Sequence, residues 1–393
     1  MKNILKYASL LAAAVMLLSC EGTVDNADNG IVDDENGSVE NKELKLIADK
    51  NLIQTFTDDY VTLSVTLDGE PVTEGVTFYD GKNKTLELQD FKFSTKQVGE
   101  YKIWASYGSY ISETVTIKAI DIAIPEALAD PKPESTDFKT RVLLTEFTTV
   151  GCAACPAMKI IIHEVSEDIT VADKFICTEC HSGLVNSIPD PCYIHNQAFE
   201  DFVHVQNFPT VMFNLTTVLV DRSAMKSRIE ELQAEMEAVA PGIAVNARLQ
   251  DGKIVARVSL KAKVASSYRV GALLLEDGIY AKQTSATAEW MHNHDNVIRY
   301  IDSQYGNSFT GSPVADIDAG KTADTMISWI LEDIWEYGTE RGEINGGIPW
   351  PERNDEKLHM VVFASMKDES GNYQIVNAVD CSVNGQTPYE YAK

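Results

Sequence analysis

The apolar positions change period twice along the chain. From about Glu43 to Ile120 they recur at every second residue. Val61, Leu63, Val65 and Leu67 alternate with Thr62, Ser64 and Thr66, and an Asp68-Gly69 turn signal follows. Tyr101, Ile103 and Ala105 alternate likewise, as do Val115 and Ile117, so this segment predicts antiparallel strands. Near residue 138 the pattern shifts. Arg141 to Phe147 reads as a buried strand, and Met158, Ile161, Ile162, Val165 and Ile169 mark one face of a helix. Lys174–Thr178 and Thr210–Phe213 read as further strands. Met225, Ile229, Leu232, Met236 and Val239 form the stripe of an amphipathic helix that Pro241-Gly242 ends. Strands alternating with helices predict an α/β domain. Period two then returns. Ile243–Leu249 and Ile254–Leu260 predict a hairpin around Asp251-Gly252, and Met360–Ala364 with Gln374–Ala378 predict a second, with a helical insertion near Ala323–Gly338.

Two stretches stand outside this pattern. Pro125, Pro131 and Pro133 stiffen residues 121–137, which read as an exposed interdomain linker. At the start of the chain, Lys2 and Lys6 precede an apolar run from about Leu10 to Leu18 and then Leu17-Leu18-Ser19-Cys20. That run is too short to cross a hydrocarbon core of about 30 Å and reads as a secretory signal over residues 1–20. Its end resembles the bacterial lipobox, which implies lipidation at Cys20. With Glu rather than Asp at position 21, it also implies an outer-membrane lipoprotein, facing the periplasm or the cell surface. Residues 21–42 are acidic, almost free of apolar side chains, and read as a solvated tether.

Composition narrows the functions. Among 393 residues, 33 Lys and Arg against 59 Asp and Glu leave a net charge of −26. Such a surface repels phosphate backbones and anionic lipid, so nucleic acid is excluded as a partner and membrane attachment falls to the Cys20 lipid. Seven cysteines are too few for a disulfide scaffold, and an exported chain is permitted disulfides.

The chemistry concentrates in Gly151-Cys152-Ala153-Ala154-Cys155-Pro156, which follows a strand and opens a helix. A cysteine in a first helical turn faces unpaired N–H groups and the positive end of the helix dipole, and both favour the thiolate. Cys155 stands one turn on, placed to resolve a mixed disulfide, and Pro156 has no N–H to lose. Glu146 lies six residues before Cys152, where thioredoxins carry a buried proton-relaying acid. Pro209, in Phe208-Pro209-Thr210, opens a strand as the thioredoxin cis-proline does. The expected catalytic set is therefore Cys152, Cys155, Glu146 and Pro209, with no bound cofactor and no metal. A static Cys152–Cys155 bond on a binding scaffold is the alternative.

Cys177 and Cys180 form a second CxxC, but on an extended strand their Cα atoms stand roughly 10 Å apart, beyond disulfide reach. Cys180 and Cys192 flank the loop His181–Pro191 and are expected to staple it. Zinc held by Cys180, Cys192 and His181 or His195 is the sharper alternative. His292-Asn293-His294 has the look of a metal pair but lacks a third ligand at plausible spacing.

These motifs resemble the outer membrane protein 28-related lipoproteins. The likeness rests on Thr145–Cys152 with Cys155-Pro156, His181-Ser182-Gly183, Phe208-Pro209-Thr210, Glu276-Asp277-Gly278, Gln283, and His292 through Arg299. It spans roughly residues 138–393 and implies a thioredoxin-like domain followed by a β-sandwich. In front of it, Gly99-Glu100-Tyr101 resembles the tyrosine corner of immunoglobulin-like sandwiches. The expected fold is a multidomain α+β chain. It has an immunoglobulin-like β-sandwich at 43–120, a thioredoxin-like α/β domain at 138–240 and a C-terminal β-sandwich at 241–393. The expected function is thiol–disulfide exchange with envelope or surface proteins bearing thiols or disulfides. A non-enzymatic surface binding or adhesion lipoprotein is the rival.

Overall fold

The computed structural model describes residues 42–344 and 348–392, so the expected signal segment, Cys20 and nearly all of the tether lie outside the described residues. The chain is α+β and mostly strand, with several sheets and, among the described residues, four α-helices.

Residues 44–120 form two facing sheets. One joins Leu44–Ala48 to Val61–Leu67, and the other joins Leu52–Gln54, Val115–Ile120, Gly99–Tyr107 and Val76–Asp80. The period-two positions Val61, Leu63, Val65, Ile103, Ala105 and Ile117 turn inward and form the shared core. The Tyr101 hydroxyl donates back to the Gln97 carbonyl at 3.0 Å, which closes the corner that leads into its strand.

The α/β segment starts with the strand Val142–Thr148, buried along its whole length. Phe175–His181 lies parallel to it on one side and Thr210–Phe213 antiparallel on the other. The helices Cys155–Glu167 and Met225–Glu237 cover one face through Met158, Ile162, Ile229 and Leu232. Ile169, expected on the first helical face, is instead 93% exposed, because that helix ends at Glu167. The short helix Gln197–Val203 packs Phe199 and Val203 against the other face.

The sheet does not stop at residue 240. Phe175–His181 pairs in parallel with Val297–Asp302, where Glu179 meets Val297, and the order continues through Ser266–Glu276, Leu358–Lys367 and Tyr373–Ser382. One nine-stranded sheet thus runs through both segments. A second sheet of Gly242–Gln250, Lys253–Lys261 and Thr322–Ile330 faces it across a core that holds Val245, Val258, Leu274 and Val362. Both expected hairpins are present. The helix expected near Ala323–Gly338 begins later, over Leu331–Ile344. Thr322–Ile330 is a strand because Ile327 and Trp329 alternate inward against Lys253–Lys261.

The proline-bearing stretch is tied down. Its carbonyls accept from side chains of the second sheet: Pro125 O from Arg257 Nε, Glu126 O from Asn246 Nδ2 and Pro133 O from Lys261 Nζ. Proline has no N–H to seek a strand partner, so this backbone meets the sheet through its oxygens. Asn51 adds a two-way bond to the Met326 backbone that holds the first sandwich against the same sheet.

Candidate functional site

Cys152 and Cys155 form a disulfide with Cα atoms 5.5 Å apart. The bond stands where the chain turns from the central strand into the helix Cys155–Glu167. No side chain caps that helix, and Pro156 occupies its first turn. Cys152 Sγ fills the role: it accepts the Cys155 N–H at 3.1 Å. A sulfur held by an otherwise orphaned helix N–H is where negative charge on Cys152 is best tolerated.

The site is covered. Cys152 is 4% exposed and Cys155 2%. From one side the loop after His181 closes down, so that a Cβ on Gly151 would lie 2.3 Å from the Val185 carbonyl oxygen. From the other, Gln283 Nε2 donates to the Cys152 carbonyl at 2.9 Å and Thr284 N to the Val150 carbonyl at 2.8 Å.

Beneath the turn lies a buried ionisable cluster. Val142–Thr148 and Phe175–His181 are in register, which sets Glu146 beside Glu179 and Thr148 beside His181 on one face. The helix above sends Lys159 to Glu179 Oε1 at 3.1 Å. Glu179 Oε2 meets His294 Nδ1 at 3.1 Å and His181 Nε2 at 3.4 Å. His181 Nδ1 meets Asp190 Oδ2 at 2.7 Å, and Asp190 also accepts the N–H groups of Val150 and Cys192.

Partners decide which of these groups carries charge. Burial pushes Glu146 up, and the neighbouring Glu179 pushes it further, to about 8. Its Oε1 has no hydrogen-bond partner. Burial works against the Glu179 charge too, but Lys159 and the two histidines outweigh it and hold Glu179 well below the usual carboxylate range. For Asp190, burial again opposes the charge. The His181 charge, its hydrogen bond and the two backbone donors prevail, to about 2. Burial alone would lower His181, but Asp190 and then Glu179 raise it to about 9. His294 is lowered, first by burial. The cluster therefore contains one acid poised to stay neutral beside Glu179, Asp190 and His181, which hold their charge.

No family model and no curated protein matches the chain. Among solved structures it is similar to HBP35 of Porphyromonas gingivalis. The identity is 15% and the TM-score 0.46, over 66% of this chain and 79% of that one. A structural-genomics target from Agrobacterium tumefaciens is similar at 11% identity and a TM-score of 0.37, over 64% of this chain and 98% of that one. At TM-scores below 0.5 neither likeness carries weight for fold or function.

Of the residues singled out in the sequence, Cys152 and Cys155 are joined at one turn, Glu146 lies on the strand that leads into it, and Pro209, whose bond to Phe208 is cis, opens the strand paired with Glu146's own. Cys177 and Cys180 share a strand and remain thiols. The expected staple between Cys180 and Cys192 is absent; both are buried free thiols. Strand alternation explains it. Cys180 points to the face that holds Phe147, Ile194 and Phe199, whereas Cys192 lies beside His181, on the opposite face. His195 is equally apart from that group, meeting the Tyr193 hydroxyl at 3.1 Å. Sequence reasoning passed over Lys159, Glu179 and Asp190. A carboxylate inside a short strand run was the signal for Glu179, whereas Glu146 stands out by its place six residues before Cys152.

Proposed function

We propose that the chain is a cell-envelope lipoprotein whose thioredoxin-like domain carries a thiol–disulfide oxidoreductase site at Cys152 and Cys155. The observation that carries this reading is Glu146, only 2% exposed and with an unpartnered oxygen, on the face that the Cys155 helix covers. A static crosslink gains nothing from an unpaired buried acid, which costs stability. A cycling dithiol needs a group that takes and returns a proton.

In the reduced form, Cys152 attacks a substrate disulfide as the thiolate, and one substrate sulfur leaves with its electron pair. Glu146, in its ionised form, takes the proton of Cys155. The Cys155 thiolate then attacks the Cys152 sulfur, which releases the second substrate thiol and restores the disulfide. Two electrons pass to the substrate, and an external dithiol must return them. The resemblance to outer membrane protein 28-related lipoproteins supports the anchored setting, and the Tyr101–Gln97 bond supports an immunoglobulin-like spacer in front.

A second reading, a static disulfide in a surface binding module, is favoured by one observation: the burial of both sulfurs. Equilibration of the full chain in graded thiol buffers, followed by alkylation, separates the two. A midpoint between about −120 and −270 mV belongs to working oxidoreductases, and one below about −300 mV to a structural bond. Under the first reading, Cys152→Ser abolishes turnover of a disulfide substrate.

A further inference from the structure

The fold brings together three residues that lie far apart in sequence. His181 ends its strand, Cys192 follows the covering loop, and His294 belongs to the short strand Asn293–His294. One ring nitrogen from each histidine and Cys192 Sγ all lie within 4.8 Å of one another. His181 and Cys192 are fully buried and His294 is 1% exposed.

We propose that His181, Cys192 and His294 form a binding site for a divalent transition metal of the zinc class.

The donor set favours such an ion. Two imidazoles and a thiolate suit zinc, whereas calcium and magnesium require oxygen ligands. Zinc bonds of about 2.0–2.3 Å place tetrahedral ligand atoms roughly 3.5 Å apart, so small side-chain rotations close the set.

The surrounding shell matches as well. Metal-bound histidines usually have their other ring nitrogen held by a carboxylate or a carbonyl. Here Asp190 holds His181 Nδ1 at 2.7 Å and Glu179 meets His294 Nδ1 at 3.1 Å. Asp190 also accepts the Cys192 N–H at 2.9 Å, so one carboxylate fixes two of the three residues. What remains is His181 Nε2, with only a long 3.4 Å contact to Glu179, and His294 Nε2, which is buried and has no partner. An orphaned buried nitrogen is costly, and a metal ion would supply what it lacks.

Charge balance is kept when a metal replaces one proton each on His181 and Cys192. Glu179, Asp190 and a Cys192 thiolate then bring three negative charges, against which Lys159, 3.1 Å from Glu179 and 3.4 Å from His294 Nδ1, sets one positive. A dication brings the sum to zero. With three protein ligands, one coordination position stays open to water.

The test uses the full chain with the Cys152–Cys155 disulfide intact, so that this pair supplies no thiolate. After zinc loading and exhaustive buffer exchange, one zinc per chain is expected. Cobalt(II) in its place is expected to give a thiolate-to-metal charge-transfer band. Cys192→Ser should remove the band, and Asp190→Asn should weaken retention by about 10–100-fold. Cys381→Ser, at a thiol in a different core, should leave both unchanged. Should Cys192→Ser fail to fold, zinc-edge X-ray absorption on the unaltered chain decides. One sulfur at about 2.3 Å with nitrogen or oxygen neighbours supports the site. No retained zinc, or a spectrum with no sulfur or with more than one, overturns it.

Discussion

Glu146 and Glu179 are register partners on adjacent parallel strands, 2% and 7% exposed, and both turn toward the helix that starts at Cys155. Two like charges in such a place cannot both be held cheaply. Lys159, His181 and His294 all meet Glu179, and none of them bonds Glu146. The charge therefore settles on Glu179 and the proton on Glu146.

This division gives a pH dependence with a definite sign. Glu146 is raised in the folded chain to about 8. Its contribution to stability is therefore complete below its unfolded value and is lost as pH rises through about 8. Glu146→Gln keeps the neutral shape and has no proton to lose. Melting curves from pH 5 to 9 should show the variant gaining on the parent chain as pH rises. A gap that stays constant would count against the assignment.

The same substitution tests proton transfer. Oxidation of the reduced pair should accelerate in the parent chain as Glu146 ionises near pH 8 and can accept the Cys155 proton. In Glu146→Gln this rise should be missing and the rate about 10²-fold lower, read by stopped-flow quenching with a small disulfide. An unchanged profile would leave Glu146 without that role.

How much of this was legible beforehand depends on the range of the contact. The strand–turn–helix around Cys152, the amphipathic helix at Met225 and both late hairpins rest on local periodicity, and they stand where the pattern puts them. The partners of Glu179 do not. Lys159 is on a helix face that reads as solvated, and His294 arrives through a strand pairing at Val297 that no local pattern announces. Nor could spacing reveal that one sheet runs on past residue 240, because a parallel pairing between distant segments leaves no turn to mark it.

The cover over the disulfide predicts an effect at Gly151. A methyl group there would meet the Val185 carbonyl at 2.3 Å, and a backbone oxygen cannot rotate out of the way. Gly151→Ala should displace the loop, lower stability by about 1–3 kcal/mol and speed reduction of the disulfide by dithiothreitol. Destabilisation with unchanged reduction kinetics would mean that this loop does not control access.

Lys159→Met removes the cation from Glu179 and leaves a buried carboxylate short of a partner. The loss should be about 3 kcal/mol in urea unfolding at neutral pH. It should shrink in acid, where Glu179 gains a proton. A loss of less than about 1 kcal/mol would place the pair among exposed bridges of little consequence.

The cysteine inventory makes the last prediction. Cys180 lies in the apolar face with Phe147 and Phe199, and burial pushes its thiol far above the usual range. Cys192 lies across the sheet, packed by Ile279 and Val297, and burial pushes it up as well. Neither can reach the other without one residue reversing its side of the sheet, and in the metal-free chain neither forms the thiolate that exchange requires. Air oxidation of the folded chain should therefore leave Cys177, Cys180, Cys192 and Cys381 as thiols, with Cys152 and Cys155 joined. Alkylation in denaturant before any reduction, followed by peptide mass mapping, reads this directly. A Cys180–Cys192 crosslinked peptide would show that the loop after His181 takes a second arrangement in which Cys192 has crossed to the other face.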